Sequence, residues 1–201
     1  DRILEAEDDT PNNYQASKQA DVLMLFFLLS KDETADVFNQ LGYEWDDDLI
    51  IRNVEYYMAR TSHGSTLSRL VHSWVLARSD QKRSWMFFMD ALYSDVSDIQ
   101  GGTTAEGIHL GAMAGTVDLV QRCFGGVETS GGVLRFDPAV PEELGRLDFD
   151  VQFRGIWIGC KVTQDHVILD VSSGTGSPFT VAVRDEEFVM EPGSRLEVSL
   201  R

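Results

Sequence analysis

Hydrophobic positions in the first two thirds of the chain recur with a helical period. Leu67, Leu70, Val71, Trp74 and Val75 fall on one face of residues 66–78, the pattern of an amphipathic helix. Leu49, Val54, Tyr57 and Met58 do the same over 48–59, as do Trp85, Phe88, Met89 and Leu92 after a start at Asp80. Residues 18–29 are apolar almost all round, which predicts a helix buried on most sides. Asp32-Glu33-Thr34-Ala35 opens another helix, with Asp32 as its N-cap and Gly42 as its C-terminal cap. The last helix is expected over 105–123. There Gly107, Gly111, Ala112, Ala114 and Gly115 let another backbone or a ligand come close, at a cost in helix propensity.

After Gly125-Gly126 the period changes to two. Leu147 to Phe153 alternates strictly, and shorter strands are expected at 156–162, 166–171, 179–184 and 196–200, separated by turn-rich stretches such as 172–178. That spacing fits an antiparallel sandwich. The fold class is therefore α + β, with a boundary near Gly126 to Gly132. It separates a helical domain at 1–128 from a β-sandwich at 129–201. No solenoid repeat is visible, although the helices can pair as antiparallel hairpins.

Composition narrows the function classes. With 201 residues and 43% hydrophobic content, the chain has enough apolar material for a packed core. Seventeen basic against thirty-three acidic residues give a net charge of −16, which repels phosphate backbones and anionic lipid surfaces. No nucleic-acid or membrane partner is expected. The longest apolar run, Val22 to Leu29, is eight residues, far short of the ~18 of a membrane span. The acidity is uneven: residues 1–50 hold thirteen acids and three bases, whereas 51–128 hold eight and seven. The dense runs at 5–9 and 46–48 read as solvated loops or helix starts, lacking the spacing and glycine of a calcium loop. Cys123 and Cys160 read as buried, reduced thiols. The chain opens without Met or a targeting core, as a fragment of a longer protein would.

No phosphate-binding glycine motif, nucleophile elbow or zinc-ligand spacing is present, and no metal site is expected. His72, beside the apolar face of its helix, reads as structural; His166 reads as structural or exposed. Two segments carry candidate chemistry. Thr61-Ser62-His63-Gly64-Ser65 precedes a helix and offers hydroxyls, an imidazole and free amides. It reads equally as an ordinary Ser/Thr cap or as a pocket for an oxyanion. Gln100 to His109 again runs from a glycine loop into a helix. Glu106 and His109 would share a helical face there, and this too reads equally as a plain helix start. A third, shorter signal is Lys18-Gln19, one of few lysines, ahead of an apolar helix.

Taken together, these segments resemble glycoside hydrolase family 65, which includes maltose, kojibiose and trehalose phosphorylases. The matching stretches are Lys18 to Val22, Tyr57 through Ser65, and the long run Thr104 to Thr116; Leu134 to Pro138 and Phe153 to Gly155 match the start of the family's C-terminal domain. The resemblance covers nearly the whole chain from about residue 14. It implies the last portion of an (α/α)6 barrel followed by a small jelly-roll-like sandwich. It also implies inverting phosphorolysis of an α-linked glucose disaccharide, giving β-glucose 1-phosphate and a free sugar. By that resemblance Lys18 and Gln19 contact the sugar of the donor subsite. Thr61, Ser62, His63, Gly64 and Ser65 form the phosphate pocket, where a protonated His63 would add charge. His109 lines the phosphate side and Glu106 supports it. The family's catalytic acid, a Glu, is expected upstream of this chain, so the chain contains no catalytic residue and is expected to be inactive by itself.

Inorganic phosphate is a co-substrate and no cofactor is expected. A cytoplasmic location and self-association through exposed helix faces are further expectations. Two alternatives stand beside this reading. One is a hydrolase of the same family, such as a trehalase. The other is a non-catalytic carbohydrate-binding or interaction module using the sandwich face. For the latter, Trp157 and Phe153 could stack on sugars, although filling the core is the plainer role for both.

Overall fold

The computed structural model describes residues 2–46, 48–99, 102 and 104–201, apart from the side chains of Arg2, Pro11 and Glu106. The chain forms two compact units, Asp1–Thr116 and Val117–Arg201. The first is helical: α1 (Arg2–Ala6), α2 (Met24–Leu28), α3 (Lys31–Gln40), α4 (Asp48–Met58), α5 (Thr66–Leu76) and α6 (Gln81–Leu92), with α7 (Leu110–Asp118) running across the division. Its core gathers Ala20, Leu23, Phe26, Val54, Val71 and Leu76 from around α2, α4 and α5. α5 and α6 form a hairpin closed by a polar clasp. The Ser73 hydroxyl donates to the Ser84 carbonyl at 2.9 Å, and the Ser84 hydroxyl returns a bond to the Ser73 carbonyl at 2.7 Å. Both serines are fully buried, so each hydroxyl needs that partner.

Three helix boundaries differ from the sequence pattern, each for a local reason. The cap of α3 is Ser30, two residues before Asp32. The Ser30 hydroxyl accepts the Glu33 amide and the Glu33 carboxylate accepts the Ser30 amide, a complete capping box. At the other end Gly42 terminates the helix as expected: its φ is +81°, and the Tyr43 amide reaches back to the Phe38 carbonyl at 2.9 Å. α2 starts at Met24, not Lys18, because residues 17–20 are engaged elsewhere in the fold. The helix expected over 105–123 is interrupted at Gly107, whose φ is +99°. It is a 3-10 turn at Thr104–Glu106, then α7, then a π-helical turn at Leu119–Phe124. Helix faces also stay uncovered in this unit: Leu28 is 62% and Leu110 76% exposed, against the expectation that 18–29 is buried on most sides.

The second unit is a sandwich of two four-stranded sheets. One orders β1 (Val127–Ser130), β2 (Val133–Phe136), β6 (Phe179–Val183) and β7 (Glu186–Met190). The other orders β3 (Arg146–Phe153), β4 (Ile156–Thr163), β5 (His166–Val171) and β8 (Arg195–Ser199). The pairing is antiparallel except for β2 with β6, which is parallel, so the expectation of a fully antiparallel sandwich needs that correction. β1, β2 and β7 were not among the expected strands. They are short, and β1 and β7 expose most of their residues, leaving no clean alternation to read. Gly131 and Gly132, with φ of +58° and +76°, make the two-residue turn of the β1–β2 hairpin.

Between the sheets lie Phe136, Ile158, Val162, Val167, Leu169 and Val181, all buried, and the Phe153 and Phe179 rings meet edge-on at 5.6 Å across the two layers. Phe153 therefore fills the core, as the plainer reading held, but Trp157 is 53% exposed and does not. Both cysteines are buried thiols. That of Cys160 is pushed up to about 12 by burial first and by the nearby Asp150 carboxylate second.

Two glycines separate conformational strain from close packing. Gly126 has a φ of +70°, and a Cβ there would fall on the Asp137–Pro138 peptide. Gly145 has a φ of +63° with nothing within 4 Å. Gly126→Ala should destabilise the sandwich by roughly 2–4 kcal/mol, strain plus backbone overlap. Gly145→Ala should cost only about 1–2 kcal/mol, from strain alone. Urea unfolding of the two variants checks the difference; equal midpoints would contradict it.

Candidate functional site

The turn between α4 and α5 is built by main-chain pairing with a segment more than forty residues earlier. Ser17 and Thr61 form a parallel bridge. The Ser17 amide donates to the Arg60 carbonyl at 2.9 Å. The amides of Ser62 and Gly64 donate to the carbonyls of Ser17 and Lys18, each at 2.8 Å. Below this, the Ala20 amide donates to the buried Ser68 hydroxyl at 3.1 Å. These bonds hold the start of this segment out of a helix: the Ser17 and Lys18 carbonyls accept from the turn, and the Ala20 amide is taken by Ser68. They also place Lys18 directly on Gly64, where a Cβ would meet Lys18 Cγ at 3.0 Å. The structure thus brings Lys18 together with Ser62, His63 and Gly64. Gln19 stands beside it, its amide donating to Asp21 at 2.8 Å.

The same pairing uses up donors that the sequence offered to an anion. The amides of Ser62 and Gly64 are bonded to carbonyls, and the Thr61 hydroxyl donates to the Tyr57 carbonyl at 2.7 Å. The Ser65 hydroxyl oxygen caps α5 by accepting the Leu67 amide at 3.3 Å, which leaves its proton available. The Ser62 hydroxyl has only a long contact, 3.4 Å, to the Lys18 carbonyl. Of the opening amides of α5, that of Leu67 is taken by the Ser65 hydroxyl and that of Ser68 by the Ser65 carbonyl at 3.2 Å. An anion at this turn would be met by the Ser62 and Ser65 hydroxyls, the Lys18 ammonium and the His63 ring.

His63 sits in the left-handed region, with a φ of +52°. Its ring packs edge-on against His72 at 4.7 Å between centroids and against Phe87 at 5.3 Å. Burial, then the neighbouring His72 and Arg69, lower its pKa to about 4, with Asp90 opposing. His63 is therefore neutral near pH 7 and does not carry the charge that a protonated ring would add. His72 is fully buried, with its Nδ1 donating to the Ser68 carbonyl at 2.7 Å, while its Nε2 has no partner among the described residues. Burial holds it neutral too. The positive charge behind the turn belongs to Arg69, whose Nε lies 3.6 Å from Asp90 Oδ2.

His109 is held by Asp95, which the sequence did not single out. One carboxylate oxygen accepts the His109 amide at 2.8 Å and the other takes the ring Nδ1–H at 2.6 Å. Burial alone would raise the Asp95 pKa, but the two bonds from His109 together keep it below the ordinary value. Glu106 and His109 do not share a helical face, because Gly107 breaks the chain between them; the Glu106 side chain lies outside the described residues. A Cβ on Gly111 would meet Leu67 at 3.9 Å, and one on Gly115 would meet Leu70 at 2.5 Å. These contacts run in the same order along both helices. α5 and α7 therefore point the same way, with Thr61–Ser65 and His109 at the same end. Asp95, Arg69 and Asp90 belong to no motif. Of the supporting contacts, only the four-residue spacing of Ser68 and His72 on one helix was visible in the sequence.

Comparison with known proteins gives a consistent family. Residues 1–118 match the model of the glycosyl hydrolase family 65 central catalytic domain, and 127–190 match that of the family's C-terminal domain. An uncharacterized glycosyl hydrolase of Mycobacterium tuberculosis is 47% identical over 98% of this chain, and trehalose 6-phosphate phosphorylase of Lactococcus lactis is 34% identical over 100% of it. Kojibiose phosphorylase of Thermoanaerobacter brockii is 33% identical over 88%. This chain spans only 15%, 26% and 21% of those relatives' lengths, respectively. A solved structure from the human microbiome, provisionally named kojibiose phosphorylase, superposes with a TM-score of 0.74 over 93% of this chain and 25% of its own; at 24% identity this is a likeness of fold.

The partly buried ring of His63 has a measurable consequence. In a histidine titration followed by NMR, it should stay neutral well below the ordinary 6.5 and titrate at about 4. The unfolded chain takes up a proton on this ring below 6.5 while the folded chain does not, so stability falls as pH drops from 6.5 towards 4. His63→Gln should flatten that part of the stability profile. A ring titrating near 6.5 would contradict the assignment.

Proposed function

The chain belongs to glycosyl hydrolase family 65, and we propose that it is the C-terminal part of an inverting α-glucoside phosphorylase. The residues that match the family's sugar-binding and phosphate-binding motifs, Lys18-Gln19 and Thr61–Ser65, are joined by the Ser17–Thr61 bridge into one surface. That juxtaposition carries the reading. The relatives named as phosphorylases act on trehalose 6-phosphate and kojibiose and are similar to this chain over nearly its whole length.

In the proposed reaction a phosphate oxygen attacks the anomeric carbon from the face opposite the glycosidic oxygen. The C–O bond to the leaving sugar breaks, an acid protonates that oxygen, and β-glucose 1-phosphate results. Phosphate needs no base to activate it, only a site that tolerates its charge. Lys18 and Gln19 hold the glucose ring. The hydroxyls of Ser62 and Ser65 and the neutral His63 as an N–H donor hold phosphate. A carboxylate in that position would repel phosphate and suit water instead. Its absence from Thr61–Ser65 favours phosphorolysis over hydrolysis. His109, fixed by Asp95, lines the same end of the helix pair. The general acid is contributed by a part of the protein preceding Lys18, and the exposed helix faces of the first unit are covered there or by self-association.

The test uses the full-length protein that carries this chain, with phosphate and an α-linked glucose disaccharide. It should release β-glucose 1-phosphate at a rate that depends on phosphate. His63→Ala should raise the KM for phosphate about 10- to 100-fold, the loss of one hydrogen bond to a charged group, with the fold retained. Glucose release independent of phosphate would overturn the reading in favour of a hydrolase. The 201-residue chain alone should be inactive, and turnover by it would overturn the placement of the acid.

A further inference from the structure

We propose that the outward face of the β3–β4–β5–β8 sheet is a second carbohydrate site, a platform for one pyranose ring of an α-glucoside. Along β4 the inward residues are Ile156, Ile158, Cys160 and Val162, so Trp157, Gly159 and Lys161 point out. Register places Gln152 beside Trp157, and sets Asp150 and Asp170 on either side of Gly159. Arg195 lies beyond Asp170 and bonds it at 2.9 and 3.2 Å. Lys161 is 3.8 Å from the same carboxylate. The nearest atoms a Cβ on Gly159 would meet are Asp150 Oδ1 at 3.4 Å and the Asp170 backbone at 3.8 Å. The glycine thus lowers the sheet surface beside Trp157, and the Asp150 carboxylate leans towards it from one side while Asp170 stands on the other.

The occupant follows from the mixture of surfaces. A pyranose has an apolar face of C–H groups and a rim of hydroxyls that both donate and accept. Trp157 supplies an exposed indole face for the first, and an indole holds such a face at little entropic cost. For the rim, Asp150 accepts, Gln152 does both, and Lys161 and Arg195 donate. An apolar protein partner fits poorly, because the register neighbours of Trp157 and Gly159 are polar or charged and no contiguous apolar patch forms. An anionic ligand would face Asp150 and Asp170. The site lies in the second unit and uses none of the residues assigned to the turn between α4 and α5. The choice of an α-glucoside over other sugars rests on the proposed function; the platform itself does not.

The experiment titrates the 201-residue chain with maltoheptaose, following the indole N–H resonance of Trp157 by NMR. Saturable shifts with a Kd of about 1 mM or tighter are expected, and xylohexaose should give none. Trp157→Ala should weaken binding at least about tenfold. Gly159→Thr, at a position with room for a side chain and with better strand propensity, should abolish binding while leaving the indole and the fold in place. Lys18→Ala should leave it unchanged, which separates this site from the turn between α4 and α5. No saturable shift, or binding that survives Gly159→Thr, would overturn the proposal. So would shifts with xylohexaose alone. A protein that fails to phosphorolyse disaccharides yet binds maltoheptaose here would refute only the proposed function.

Discussion

The candidate site depends on a short main-chain bridge between Ser17 and Thr61. Three backbone hydrogen bonds join residues 17–18 to 60–64, and Ser68 takes the next amide along, that of Ala20. Together they convert two motifs distant in sequence into one surface and lay the Lys18 side chain across Gly64. The bonds have a cost to local structure, since a segment that is apolar enough for a helix of three turns forms one only from Met24. They also have a chemical consequence. Amides committed to holding the turn together are not available to a ligand, so hydroxyls, a neutral imidazole and a lysine are left to receive it.

Behind that surface the helical unit is organised by polar groups withdrawn from water, several of them held by a specific partner. The Ser73–Ser84 clasp fixes the register of α5 on α6, which in turn sets Phe87 against His63 and His72. A buried hydroxyl pair of this kind tolerates little slippage, because a shift would strand both groups without partners. Asp95 does the same for His109, taking the amide and the ring together. The low pKa of His63 belongs to this arrangement: its ring is partly withdrawn from water and flanked by His72 and Arg69. Such a histidine offers a fixed hydrogen-bonding group rather than a titrating cation.

The sandwich shows how much a strand's alternation can carry. In β3, β4 and β5 the buried residues recur at every second position, and pairing register follows from burying that face. The same parity puts Trp157 outside. Its neighbours Ile156 and Ile158 are buried, so an aromatic between them has nowhere to go but solvent. Gly159, two residues on, adds no side chain beside it, and the Asp150 carboxylate leans towards that position.

Much of this was legible from the chain alone. The helices at 48–58, 66–76 and 81–92, the five longest-patterned strands and the caps at Asp80 and Gly42 follow from periodicity and local capping chemistry, which act over a few residues. The family followed from the runs around Lys18, His63 and Thr104–Thr116. Three features needed the tertiary structure: the bridge that shortens α2, the parallel pairing of β2 with β6, and the partnership of Asp95 with His109 across fourteen residues. Each joins groups through backbone atoms or through an acid that belongs to no motif. The protonation state of His63 was decided there as well, because it depends on burial and on charges contributed by Arg69 and Asp90 from two different helices. Residue type determines which chemistry is on offer; which donors remain available to a ligand is settled only when the folded chain has used the others to hold itself together.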